Sequence, residues 1–113
     1  VKIEGKAKAV AVFIGESDRW HNESLHSAIV ERAHQEGIAG ATVFQGIMGF
    51  GANSVIHRPA IFRLSPDLPI LIYMVDLVER IDPFMDVLHS MVKEGMIATW
   101  EVQVERHMHS EEV

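Results

Sequence analysis

From Ala9 to Ile14 every residue is apolar, with Val10, Val12 and Ile14 on one face of an extended chain and Ala9, Ala11 and Phe13 on the other. Side chains alternate across a strand, so Lys6 to Ile14 predicts a strand that is apolar on both faces. Gly15-Glu16-Ser17-Asp18 breaks the run with turn formers. From Asn22 onward Leu25, Ala28, Ile29 and Ala33 recur at helical spacing as far as Gly37, which predicts an amphipathic helix with Asn22 as a candidate cap and a glycine stop. Ala39 to Phe44 returns to strand character through Thr42, Val43 and Phe44, and Pro69 to Val75 is the clearest strand of the chain. Asp82-Pro83 predicts the start of a second helix, because Asp can cap free amides and Pro at the first helical position loses no bond. Its stripe is Phe84, Val87, Leu88, Met91 and Val92, and Gly95 is its predicted end. Thr99 to Arg106 then alternates, with Trp100, Val102 and Val104 opposite Glu101, Gln103 and Glu105, which predicts a one-sided strand.

The order strand, helix, glycine, strand thus occurs twice, and Glu36-Gly37-Ile38-Ala39 is loosely echoed by Glu94-Gly95-Met96-Ile97-Ala98. Two such halves with right-handed crossovers interleave most simply as an α+β, ferredoxin-like βαββαβ unit. The expected sheet is four-stranded and antiparallel, in the order 4-1-3-2, with both helices on one face. In the third strand Ile70, Ile72 and Met74 on one side match Leu71, Tyr73 and Val75 on the other. Helices can bury one of these sides, so the second predicts either a homo-oligomer or a monomer whose long loop folds back over the sheet.

With 113 residues and 48% apolar composition the chain is expected to form a single domain over 1–113, its core at about 6–106. The balance of 16 acids against 10 bases argues against a nucleic-acid partner, since phosphate binding rests on Lys and Arg. There is no cysteine, which excludes disulfides and thiolate metal sites and suits a reducing cytoplasm. The first residues lack the layout of a signal peptide, and no apolar run approaches the roughly 18 residues of a membrane span. Asn22-Glu23-Ser24 matches a glycosylation sequon, which is coincidental in a chain of this kind. The tail from His107 to Val113 has no apolar period and is expected to fray.

Charge is segregated. Gly37 to Pro66 contains no acid, yet holds His57, Arg58 and Arg63. Guanidinium forks on a glycine-rich loop suit an anion, since Arg pairs phosphate or carboxylate bidentately. They equally suit pairing with Glu79 or Asp76 across a subunit interface. Gly46-Ile47-Met48-Gly49-Phe50-Gly51 offers backbone freedom near a ligand, but its G-x-x-G-x-G order matches neither a dinucleotide fingerprint nor a phosphate loop. Phe50 either stacks on a base or plugs the core. Glu16, Ser17 and Asp18 either hold a ribose hydroxyl or a metal, or simply build a turn. His21 and His26 lie on different helical faces and lack metal-ligand spacing, whereas His107 and His109, at i and i+2 on one strand face, suit an adventitious metal at best. No serine sits in a nucleophile signature, so no enzymatic activity is predicted.

Three ordered motifs now stand out: I-G-E-S-D at Ile14 to Asp18, G-A-T-V-F-Q-G-I-M-G-F-G at Gly40 to Gly51, and R-L-S-P-D-L-P at Arg63 to Pro69. With M-V-K-E-G at Met91 to Gly95, they make the chain resemble the PII-like family catalogued as domain of unknown function 190, over roughly Lys6 to Arg106. The resemblance implies a PII fold, usually trimeric, with sheets facing inward and adenine nucleotides (AMP, ADP or ATP) in clefts between subunits. It implies that Gly46 to Asp67 is the loop that engages a partner, with a membrane channel or transporter as one partner class. Two features depart from PII proteins. The loop has no tyrosine for covalent modification, and the turn before the last strand keeps only Gly95, which puts uridylylation and strong ATP binding in doubt. The expected ligand residues are Gly49, Phe50 and Gly51 for backbone approach and stacking, His57, Arg58, Arg63 and Lys93 for phosphate, and Glu16, Ser17, Asp18 and Gly95 around them. The alternatives are a ligand-free structural or protein-binding trimer and a small metal-binding or catalytic protein.

Overall fold

The two-sided apolar run becomes the middle of a sheet. In a computed structural model that describes residues 3–51, 56, 58 and 67–108, the elements run β1 (Ile3–Gly15), β2 (Arg19–Trp20), β3 (Glu23–Ser24), α1 (Leu25–Gln35), β4 (Ala41–Gln45), β5 (Pro69–Leu77), α2 (Val78–Met91) and β6 (Met96–His107). The main sheet has the order β4-β5-β1-β6, and every pairing in it is antiparallel. This is the 4-1-3-2 order expected of two interleaved halves, read from the opposite edge. The tail beyond Met108, with its expected fraying, lies outside the described residues.

Register decides which side chains share a face. Val10, Val12 and Ile14 of β1 stand opposite Met74, Ile72 and Ile70 of β5. These six pack with Leu25, Ala28, Ile29 and Ala33 of α1 and Ile81, Phe84, Leu88 and Met91 of α2 into one core, so both helices cover the same face. Each large apolar side chain buried there contributes about 1.5–3 kcal/mol. α1 ends as its glycine predicts. Gly37 adopts φ +80°, the Gly37 amide donates to the His34 carbonyl at 3.2 Å and the Ile38 amide to that of Ala33 at 3.0 Å, satisfying two of the carbonyls that the helix end leaves free.

Three expectations are corrected. Asn22 does not cap α1: it lies in the turn of the small β2–β3 hairpin, where its carbonyl accepts from the Arg19 guanidinium, and the helix starts at Leu25, whose amide donates to the Asp18 carbonyl at 2.8 Å. α2 begins at Val78, not at Asp82-Pro83, and Pro83 lies inside it. The reason is Ile81, fully buried one turn ahead of Phe84, which extends the apolar stripe toward the N-terminus. α2 also stops at Met91, ahead of Gly95, whose φ of +142° serves a different purpose described below.

Asp76 is the one buried charged residue among those described. Its carboxylate accepts from the amides of Leu77 at 2.6 Å and Ala39 at 2.9 Å and lies 4.0 Å from the Arg80 guanidinium. It thereby ties the α1–β4 connection to the start of α2. Its engagement within its own chain removes it as the cross-subunit partner weighed for the loop arginines.

Among the described residues no helix covers the second face of the sheet. Ala7, Ala9 and Ala11 are covered there, but Phe13, Met96 and Trp100 are 44%, 61% and 45% exposed. Trp100 stands opposite Ala9 and Tyr73 opposite Ala11, and the two rings stack with centroids 5.8 Å apart, which places them over the alanines of the strand between them.

Candidate functional site

Because neighbouring strands are antiparallel, β1 and β4 end where β5 and β6 begin. A cleft of about 340 Å³ lies at that end of the sheet, lined by Phe13–Gly15 and Asp18, by Phe44–Gly46 and Gly49–Gly51, by Asp67 and Pro69–Leu71, and by Glu94 and Gly95. Phe13, Phe44 and Leu71 are register partners on the uncovered face, so the cleft opens toward that face. Its floor is apolar and aromatic, with Phe44 and Phe50 51% and 68% exposed. Its polar side chains among the described residues are the carboxylates Asp18, Asp67 and Glu94 and the amide of Gln45.

Backbone geometry holds the walls together. The Gly46 amide donates to the Pro69 carbonyl at 2.7 Å and the Glu16 amide to that of Leu68 at 2.9 Å, so both roots of the 46–67 loop are fastened beside the end of β1. The Ser17 amide donates to Oδ1 of Asp67 at 2.9 Å, and the Gln45 amide group donates to Glu16 at 2.5 Å. The Asp18 carboxylate accepts from the Gly15 amide at 3.0 Å, closing the turn on itself. Gly95 passes so close to the Phe13 carbonyl that a Cβ would collide with it, and its positive φ lets the turn before β6 form the cleft wall.

The expected ligand residues divide accordingly. Gly49, Phe50, Gly51, Asp18 and Gly95 meet in the cleft. Glu16 and Ser17 border it through the bonds just described, and the turn-building role is visible in them. Lys93 does not line it but borders a separate depression of about 230 Å³ with Trp20, Leu25 and Met91, joined to the cleft through Asp18 and Glu94. Arg58 is exposed and does not line the cleft, while His57 and Arg63 lie outside the described residues. Among the described residues no group of three or more His, Asp or Glu side chains is placed to hold a metal ion.

Sequence similarity covers the same elements. The profile of the DUF190 family, described as uncharacterized ACR, matches residues 7–104. The chain belongs to this family. Among related proteins, a UPF0166 protein of Methanocaldococcus jannaschii is 38% identical over 88 residues, which is 78% of this chain and 81% of the relative. A UPF0166 protein of Aquifex aeolicus is 29% identical over 99 residues, 88% and 93% of the two chains. Among solved structures, CPII of Thiomonas intermedia bound to ADP and bicarbonate superposes with a TM-score of 0.59 at 17% identity, covering 89% of this chain and 90% of that one. The GlnK–ATP complex of B. subtilis gives 0.55 at 12% identity, covering 88% and 84%. The DUF190 chain therefore has the PII-like, ferredoxin-like fold.

Sequence reasoning missed Asp67, Glu94, Phe13 and Phe44 as cleft residues of this DUF190 protein. Asp67 carried a signal, because it stands where the acid-free segment stops. Phe13 and Phe44 carried none, since only strand register brings them beside Leu71.

Proposed function

We propose that this protein is a PII-like ligand sensor: a homo-oligomer, of three subunits, in which the cleft at the end of the sheet takes an adenine nucleotide and the 46–67 loop passes occupancy to a partner. The reading rests on one observation, that the cleft lies between the two roots of the loop and opens onto the apolar sheet face that a neighbouring subunit would cover. The aromatic floor suits a planar base, and the carboxylates accept hydrogen bonds from hydroxyl or amino groups. Phosphate would then lie away from Asp18, Asp67 and Glu94, and Arg58, Arg63, His57 and Lys93, or groups of the neighbouring subunit, are the residues proposed to meet it. The nucleotide-bound CPII and GlnK structures of the same fold support the ligand class.

A regulatory, non-catalytic role fits the absence of a nucleophile signature in the sequence, and the cytoplasm fits its lack of cysteine. A membrane channel or transporter is the partner class that the loop is proposed to serve. No helix among the described residues is long and apolar enough to cross a membrane.

Calorimetric titration with AMP, ADP and ATP tests the ligand. At least one should bind, with a rise in melting temperature, and no heat and no thermal shift with any of the three would reject the nucleotide. Arg58→Ala and Arg63→Ala should each weaken binding while the oligomer persists. Unchanged affinity in both removes these arginines from the site.

A further inference from the structure

The proposed nucleotide site contains a carboxylate that takes part in two structures at once. Asp67 forms part of the cleft wall and also the C-terminal root of the 46–67 loop. Its Oδ1 is held by the Ser17 amide at 2.9 Å. Its Oδ2 has no hydrogen-bond partner among the described residues. The approach is close because the neighbouring residue is Gly15: a Cβ there would stand 2.9 Å from Oδ1 and 3.1 Å from Oδ2. The adjacent Leu68 carbonyl is bonded to Glu16, and the Pro69 carbonyl to Gly46, so a shift of Asp67 pulls on both roots of the loop.

From this we infer that Asp67 is a specificity-determining residue that reads a hydrogen-bond donor of the ligand with Oδ2 while Oδ1 keeps the loop root fastened to the turn after β1. The inference rests on the nucleotide reading for the identity of the ligand, but not for the fastening. A carboxylate oxygen only accepts, so the ligand atom facing it is a hydroxyl or an amino group and not a phosphate oxygen. In an adenine nucleotide that atom belongs to the ribose diol or to the exocyclic amine. Because the acceptor that meets the ligand shares its carboxylate with the fastening bond, occupancy restricts rotation of the Asp67 side chain and strengthens the Ser17 contact. Cleft occupancy is thereby felt at the neck of the loop.

The isosteric substitution Asp67→Asn separates the two roles. The Ser17 amide selects the amide oxygen, which leaves the NH2 group toward the cleft, where it faces a donor with a donor. The fastening survives and the recognition fails. Asp67→Ala removes both, and Gly15→Ala, which sets a Cβ against both carboxylate oxygens, loosens the fastening while keeping the carboxylate. Hydrogen exchange at the Ser17 and Gly46 amides of the free protein reads the fastening. It should be near wild type in Asp67→Asn and faster in Asp67→Ala and Gly15→Ala. Titration with AMP reads recognition, and Asp67→Asn should lose about tenfold or more, the size expected for a hydrogen bond to a charged group. Repeating the titration with 2′,3′-dideoxy-AMP and with purine riboside monophosphate identifies the donor, since the penalty of Asp67→Asn disappears for the analogue lacking the group that Asp67 reads. Unchanged AMP affinity in Asp67→Asn, or an equal penalty with all three ligands, overturns the recognition role. Unchanged exchange in Asp67→Ala overturns the fastening. Failure of wild type to bind any nucleotide counts against the nucleotide reading and leaves the exchange result standing.

Discussion

The two faces of the sheet carry comparable apolar side chains, yet among the described residues one is sealed and the other open. On the helix side Val10, Val12, Ile14, Ile70, Ile72 and Met74 are at most 6% exposed. Among the described residues of the other side only Ala7, Ala9 and Ala11 reach that degree of burial, and Ala9 and Ala11 stand opposite the stacked rings of Trp100 and Tyr73. The difference lies in side-chain size across neighbouring strands. Small residues on β1 let the aromatic residues of β5 and β6 meet above it, producing a broad apolar surface where the helix face has interlocking side chains. Such a surface suits a second copy of the chain, and the cleft at its edge would gain another wall from that copy.

Breaking the open face should have the largest effect. Trp100→Glu places a charge at the centre of the proposed subunit contact and is expected to reduce the assembly to single chains, read by light scattering, with far-ultraviolet dichroism retained. An unchanged mass in the variant moves the interface elsewhere, and a monomeric wild type removes the interface altogether. The covered face answers differently. Leu88→Ala, at a fully buried position of α2, should lower unfolding free energy by about 2–5 kcal/mol in a urea titration. The assembly should still form under native conditions, because nothing on the open face has changed. Next in size is Asp76→Ala, which leaves the buried amides of Ala39 and Leu77 without their acceptor. A loss of about 1–3 kcal/mol is expected. A neutral outcome would mean that water replaces the carboxylate.

The covered face was largely legible in the sequence because its period is local. Leu25, Ala28, Ile29 and Ala33 of α1 and Phe84, Leu88 and Met91 of α2 are buried as their spacing predicted. The repeated glycine echo also had physical content, since both Gly37 and Gly95 adopt positive φ. The open face was legible only as a demand for cover. That Trp100, Val102 and Val104 join it, rather than the helix side, depends on the register of β6 against β1. The cleft was legible in its glycines and Asp18, which interrupt pattern, and illegible in Phe13 and Phe44, which continue it. Asp67 and Glu94 contribute through convergence of distant turns, and no spacing within one segment could have joined them.

The smallest effect concerns where the helical cover begins, because sequence and structure assign Pro83 opposite roles. At the first position of a helix proline is favourable, its missing amide being one that has no partner in any case. At the sixth residue of Val78–Met91 it deprives the Glu79 carbonyl of its partner and presses its ring against that group. The chain accepts this because the extra turn carries Ile81 into the core, where it is fully buried. Pro83 itself is exposed, so replacing it alters no packing. Pro83→Ala restores the backbone bond, and although alanine also frees the unfolded chain, a net gain of about 1 kcal/mol is expected. A stability loss would instead put proline at a helix start, leave the turn containing Ile81 unformed in solution, and shorten the cover of the sealed face by one turn. The sign of a single urea midpoint shift therefore decides between the two boundaries.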